Sequence, residues 1–129
     1  MSNMDSKYSP LFTPWKIRDV EIKNRIVLCP MGGTSLFGWM ELTGNHFDKE
    51  AAKFFLERAK NNVGLIIPGI APLKDTIGGR WLWQNKKMFK ELKPFMDEIH
   101  ETGAKLFVQI TAGMGRSWAI TDHLVMLHN

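Results

Sequence analysis

This sequence predicts an α/β fold of consecutive parallel βαβ units, on two observations. Three apolar stretches, at residues 26–29, 63–67 and 104–110, each run into a turn rich in Pro or Gly, and two segments with apolar residues at helical spacing lie between them. Strands that are apolar on both faces belong to a buried parallel sheet rather than to a half-solvated antiparallel one. With helices as the crossovers, the order strand, helix, strand, helix, strand reads as right-handed βαβ units.

The first strand, Ile26-Val27-Leu28-Cys29, ends abruptly in Pro30-Met31-Gly32-Gly33. Pro30 offers a carbonyl but no N–H, and the glycines have no Cβ, so a flat or charged ligand can approach the main chain closely. In parallel α/β folds, function sits where such strands end; the plain alternative is a tight turn. The lone Cys29 cannot form an internal disulfide and is expected to be a buried small apolar residue. Phe47, Ala51, Phe54, Phe55 and Ala59 then mark an amphipathic helix, with Asn45 as the expected N-cap and Asp48 in the first turn. The second strand repeats the pattern of the first and runs into Pro68-Gly69-Ile70-Ala71-Pro72. Met88, Leu92, Phe95, Met96 and Ile99 give the second helix, which ends near Gly103, a good residue for a left-handed C-cap. Pro94 predicts that this helix begins only a few residues before it, because an interior proline loses a backbone bond. The third strand closes on Gln109, whose amide can both donate to and accept from the edge of a heterocycle. The alternative is a glutamine satisfied by neighbouring backbone. Gly113-Met114-Gly115 lacks the third glycine of a dinucleotide fingerprint.

Three strands do not complete a domain, so the 129 residues are read as a fragment, with a tail at 1–8 and an incomplete α/β domain at 9–129. Association, as a homo-oligomer or otherwise, is expected to cover the open sheet. No run reaches the roughly 18 apolar residues of a membrane span, and the polar N-terminus lacks the apolar core of a signal peptide, so a cytoplasmic protein without a membrane partner is expected. The histidines at 46, 100, 123 and 128 lack metal-site spacing, and no metal is expected. A net charge of +4 is compatible with anionic cofactors. The segment from Arg80 to Lys87 mixes bases with Trp81 and Trp83, as single-stranded nucleic-acid binders do. On the connection after the second strand, the same tryptophans could instead line a substrate or anchor a partly buried loop.

Ser9-Pro10-Leu11-Phe12-Thr13-Pro14, Lys23-Asn24-Arg25, Cys29-Pro30-Met31, Gly38, Leu42-Thr43, Phe54-Phe55, Arg58-Ala59, Gly64-Leu65-Ile66-Ile67, His100, Gly103-Ala104-Lys105 and Gln109 follow one another in a specific order. Over residues 9 to 118 this succession resembles the Old Yellow Enzyme family of flavin oxidoreductases, above all the branch with dienoyl-CoA and bile-acid enoate reductases. The resemblance implies the N-terminal part of a (β/α)8 TIM barrel, comprising about three strands and two helices. It also implies FMN as cofactor, NADH or NADPH as hydride donor, and a small-molecule substrate with an activated C=C bond rather than a nucleic acid. By the same resemblance, the main chains of Pro30, Met31 and Gly32 lie against the flavin ring, Gly69 approaches its pyrimidine side, and Gln109 hydrogen-bonds the pyrimidine. Gly32 stands where many members carry a flavin-tuning Thr or Cys. The segment 110–116 departs from the His-x-Gly-Arg pattern of many members. Trp81, Trp83 and Arg116 are the candidate substrate contacts. The catalytic groups of the family, and the iron–sulfur cluster of its longer members, would fall beyond Asn129, so no catalytic residue is assigned and the isolated fragment is expected to be inactive. The alternative is a non-catalytic binding module, either a truncated barrel acting through an interface or a nucleic-acid binder using Arg80–Lys87.

Overall fold

A 3₁₀ helix, Ser6–Phe12, leads into an antiparallel hairpin of β1 (Trp15–Ile17) and β2 (Val20–Ile22). The computed structural model describes residues 6–31, 36–38, 44–75 and 80–111. The hairpin turns through Arg18, whose φ of 51° supplies the left-handed backbone that a two-residue hairpin turn needs. Then follow β3 (Val27–Leu28), α1 (Lys49–Lys60), β4 (Leu65–Ile66), β5 (Ala71–Pro72), α2 (Lys86–Glu101), β6 (Lys105–Leu106) and β7 (Ile110–Thr111).

The expected βαβ order is present. β3, β4 and β6 pair in parallel, with Val27, Leu65 and Lys105 in one row and Leu28, Ile66 and Leu106 in the next. Because side chains alternate across a sheet, only one of these rows can face the helices. It is the second: Leu28, Ile66 and Leu106 join Phe55, Ala59, Phe95 and Ile99 in one apolar cluster that also takes in Leu36, Phe37 and Met88. Burying each such Phe, Ile or Leu side chain contributes about 1.5–3 kcal/mol. The second and third strands are each interrupted and resume as β5 and β7, which pair in parallel with each other. The interruptions, Ile67–Ile70 and Phe107–Gln109, hold the two features that the sequence marked out, the Pro68-Gly69 turn and Gln109.

Four details correct the sequence-based expectations. α1 is capped by Asp48, whose carboxylate accepts from the amides of Glu50 and Ala51 at 3.0 and 2.9 Å. Asn45 is not the cap, because tertiary hydrogen bonds described below engage it. α2 runs from Lys86 straight through Pro94. An interior proline costs about 3 kcal/mol, and burial of Met88 before it and of Phe95 and Ile99 after it, all on the core face, offsets that cost. Cys29 is exposed, since β3 ends at Leu28 and the chain has left the helix-covered part of the sheet. The alternative of a partly buried loop anchored by both tryptophans fails at Trp83, which is 70% exposed, while Trp81 is 44% exposed. The expected end of the second helix does hold, with Gly103 at φ 77° following its C-cap Thr102.

Candidate functional site

The two ends of the parallel sheet are chemically different. At the N-terminal end, Lys23-Asn24-Arg25 ties the strand entry to its surroundings. Asn24, 2% exposed, donates from Nδ2 to the Asn62 carbonyl at 2.7 Å and accepts on Oδ1 from the Ile26 amide at 3.0 Å. The Trp15 indole donates to its carbonyl at 2.8 Å. A Cβ on Gly64 would lie 2.3 Å from Asn24 Oδ1, so only glycine fits there. Lys23 Nζ donates to the Thr102 carbonyl at the end of α2 at 2.8 Å, and burial holds its ammonium below the usual lysine pKa. Arg25 Nε reaches Thr13 Oγ1 at 2.9 Å. These residues are therefore fold-building.

The C-terminal end carries the sequence-predicted ligand residues. Pro30 and Met31 follow β3 and are exposed, Met31 by 46%. Gly69 is buried in the turn that follows the fully buried Pro68. Gln109 is exposed and donates none of its amide hydrogens to a described residue, while its backbone carbonyl accepts from the Ala71 amide at 2.8 Å and so joins the third strand to the second beside the Pro68-Gly69 turn. Val108 and Ile110, on either side, are 41% and 56% exposed. The arrangement is a main-chain and apolar platform with one side-chain amide, which suits a flat, uncharged ring bearing polar edge atoms. Gly32 and Arg116 lie outside the described residues. Among the described residues, no group of three or more His, Cys, Asp or Glu side chains could hold a metal, and no helix is long and apolar enough to cross a membrane.

Trp81 stands on a hairpin stem that continues the second strand beyond the sheet. The Leu73 amide donates to the Thr111 carbonyl at 2.8 Å, the Leu82 amide to the Leu73 carbonyl at 2.7 Å, and the Asp75 amide to the Arg80 carbonyl at 2.8 Å. Lys74 pairs with Trp81 across the stem and sets its ammonium 5.3 Å from the indole centroid. The Trp81 amide donates to Gln84 Oε1 at 2.9 Å. Beneath the stem is a polar knot absent from the sequence-based site. The buried Asp75 accepts from the Asn45 amide at 2.7 Å on Oδ1 and from Arg80 Nε at 3.1 Å on Oδ2. Asn45 Nδ2 donates to the Pro72 carbonyl at 3.0 Å, and the Asn45 carbonyl accepts from Arg80 Nη2 at 3.3 Å and from Asn85 Nδ2. Asn85 is also the N-cap of α2, accepting from the Met88 amide. The one sequence signal for this knot was Asp75 and Arg80 flanking Gly78-Gly79. Arg80 bonds Asp75 and the Asn45 carbonyl while 45% of its side chain remains exposed.

A parallel α/β sheet whose sequence-predicted ligand residues lie at the strand C-termini is the start of a parallel α/β domain, and comparison with known proteins shows which one. Residues 10–123 match the NADH:flavin oxidoreductase / NADH oxidase family, and the chain belongs to it. It is 38% identical over 120 residues to a cinnamate reductase of Clostridium sporogenes, covering 88% of this chain and 17% of that protein. It is 31% identical over 123 residues to an NADPH dehydrogenase of Listeria welshimeri, covering 91% of this chain and 34% of the relative. Among solved structures, the old yellow enzyme from Trypanosoma cruzi superposes with a TM-score of 0.62 at 20% identity, over 81% of this chain and 27% of that one. A 2-naphthoyl-CoA reductase superposes with a TM-score of 0.62 at 21% identity, over 80% of this chain and 16% of its own. The fold is thus the N-terminal portion of an old-yellow-enzyme barrel, and the chain spans between a sixth and a third of the relatives it matches.

Proposed function

We propose that these residues supply the flavin platform of an FMN-dependent oxidoreductase that takes hydride from NADH or NADPH and reduces the activated C=C bond of an enoate- or enone-type substrate. The observation that carries this reading is the Gln109 amide, exposed and without a side-chain hydrogen bond to any described residue, set at the strand C-termini beside the Pro68-Gly69 turn and on the same end as Pro30-Met31. The residues present fit a flavin: the main chains of Pro30, Met31 and Gly69 offer a surface for the ring, and Gln109 offers a hydrogen-bond donor to the pyrimidine edge, where reduction leaves negative charge. Bound FMN supplies a two-electron carrier between nicotinamide and substrate carbon. A donor aimed at a developing anion stabilises the reduced form and raises the potential. Trp81 and Trp83 present exposed aromatic surface to a flat substrate.

The similarity to a cinnamate reductase supports an enoate as substrate class, and that to an NADPH dehydrogenase supports a nicotinamide donor. The reading extends to a cytoplasmic protein that acts on small molecules and associates, through the rest of a barrel or as a homo-oligomer, to cover Val108 and Ile110. The test is flavin absorbance and anaerobic reduction by NADH and NADPH in the full-length barrel protein carrying this chain, followed by consumption of cinnamate. Purification without flavin and failure to reconstitute with added FMN would remove the proposal.

A further inference from the structure

Two loops at the ligand-binding end are locked together by a buried carboxylate that the flavin platform does not use. The connection from β3 to α1 contributes Gly44 and Asn45, and the connection from β4 to α2 contributes Asp75, Arg80 and Asn85. Every polar group of Asn45 that the structure shows bonded is bonded across this gap: its amide to Asp75, its side chain to the Pro72 carbonyl, and its carbonyl to Arg80 and Asn85. The Asp75 side chain is only 4% exposed. A buried carboxylate is costly to desolvate unless each oxygen is bonded, and here Oδ1 and Oδ2 each have a donor. The fit is close on the loop side as well. Gly44 has φ 78°, and a Cβ there would lie 2.6 Å from Asp75 Oδ2, so the carboxylate occupies space that any other residue would fill.

The stem carrying Lys74 and Trp81 begins one residue above this knot, through the Asp75–Arg80 backbone bond and the adjacent Lys74–Trp81 pair. Trp81 is 44% exposed, and among the described residues the contacts that hold it are its bridge to Lys74, the Lys74 ammonium over its ring and the bond from its amide to Gln84. Its position therefore depends on the stem, and the position of the stem depends on the knot. Resting on the enoate-reductase reading above, we infer that Asp75 is a positioning residue for substrate specificity: with Asn45 and Arg80 it fixes the Lys74–Trp81 wall over the C-terminal end of the sheet, where an aromatic, anionic enoate would stack on the indole and present its carboxylate to the ammonium.

Asp75→Asn separates this role from general packing. An amide matches the carboxylate in size but ends in an acceptor on one side and a donor on the other, so either the Asn45 amide or Arg80 Nε faces a donor. Gly44→Ala breaks the same contact from the other loop, and Arg80→Lys keeps the charge but drops one of the two bonds. In the FMN-loaded full-length protein, with cinnamate as the probe, Asp75→Asn and Gly44→Ala should raise KM about tenfold, the size expected for a lost charge-assisted hydrogen bond, with kcat within about twofold. Arg80→Lys should show a smaller rise, and flavin content should stay that of wild type in all three. In fluorotryptophan NMR, the resonance assigned through Trp81→Phe should shift or broaden in Asp75→Asn. An unchanged KM with an unchanged Trp81 resonance, or a loss of flavin in step with the KM change, overturns the inference. Where Asp75→Asn does not fold, Arg80→Lys gives the decision on the same readouts. If wild type neither retains flavin nor reduces cinnamate, the functional reading fails on its own, and the Trp81 resonance still decides whether Asp75 positions the wall.

Discussion

Opposite ends of the same three strands treat polar groups in opposite ways. At the N-terminal end the polar side chains are consumed by the protein: the buried Asn24 bonds the turn after α1, the half-buried Lys23 bonds the end of α2, and the exposed Arg25 bonds Thr13. At the C-terminal end Gln109 is exposed and donates its amide hydrogens to no described residue, apolar side chains face outward, and prolines and a buried glycine shape the turns. Strand entries must be fixed for the sheet to form, whereas strand exits can leave groups for a ligand at little cost in stability. The third polar cluster, around Asp75, lies at the exit end but is built like the entry end, with its carboxylate buried and bonded. Burial and satisfaction of a polar group, rather than its position along the strand, distinguish scaffolding from binding here.

Asn24→Ala should break the contrast most severely. It removes the partner of the Ile26 amide and of the Asn62 carbonyl, both in part-buried hydrogen bonds, at a cost of about 1–3 kcal/mol. Urea denaturation of the full-length protein should show a lowered midpoint while the flavin spectrum of the folded fraction stays the same. An unchanged midpoint, or a changed spectrum without loss of stability, would place Asn24 at the wrong end of the argument. Gln109→Leu should do the reverse, weakening FMN retention five- to a hundredfold, for a lost hydrogen bond of about 1–3 kcal/mol, and lowering the flavin potential with little effect on stability. Gln109→Glu should depress the potential further, because a carboxylate would face the charge of the reduced flavin. FMN titration and redox potentiometry of both variants check this, and wild-type values in the two would remove Gln109 from the site.

Trp81→Ala should leave flavin content and stability near wild type and raise the KM for cinnamate by about three- to tenfold, from lost aromatic contact. Steady-state kinetics at saturating nicotinamide measure it, and an unaltered KM would show that the wall does not meet substrate. The smallest effect belongs to Lys23. Its pKa is lowered by burial, so between the lowered folded value and the ordinary lysine value the unfolded chain binds more protons, and stability rises with pH across that window. Lys23→Met should flatten this rise with pH below the ordinary lysine pKa. Denaturation midpoints of both proteins across that range give the comparison, and parallel pH profiles would mean that burial of Lys23 has no energetic consequence.

Local pattern alone determined much of this protein. Apolar runs ending in Pro and Gly marked the three parallel strands, 3.6-residue periodicity marked both helices, and Gly103 marked the end of the second, because each of these signals is a property of a few adjacent residues. Pro30, Met31, Gly69 and Gln109 could be singled out for the same reason: strand ends are visible in sequence, and strand ends are where parallel sheets bind. Tertiary structure decided the rest, through contacts between residues far apart in the chain. Asn45 was read as a helix cap because its local context allows one; in the fold it is claimed by Asp75, Pro72, Arg80 and Asn85, 27 to 40 residues away, and Asp48 caps α1 instead. Pro94 was read as a helix boundary because a local rule forbids it inside, yet the buried face of α2 on both sides of it outweighs one missing hydrogen bond. Cys29 looked apolar and therefore buried, but β3 ends one residue too early to cover it. Periodicity is written in neighbouring residues and survives in the sequence; which polar group finds which partner across the loops is settled only when the sheet has formed and brought those loops together.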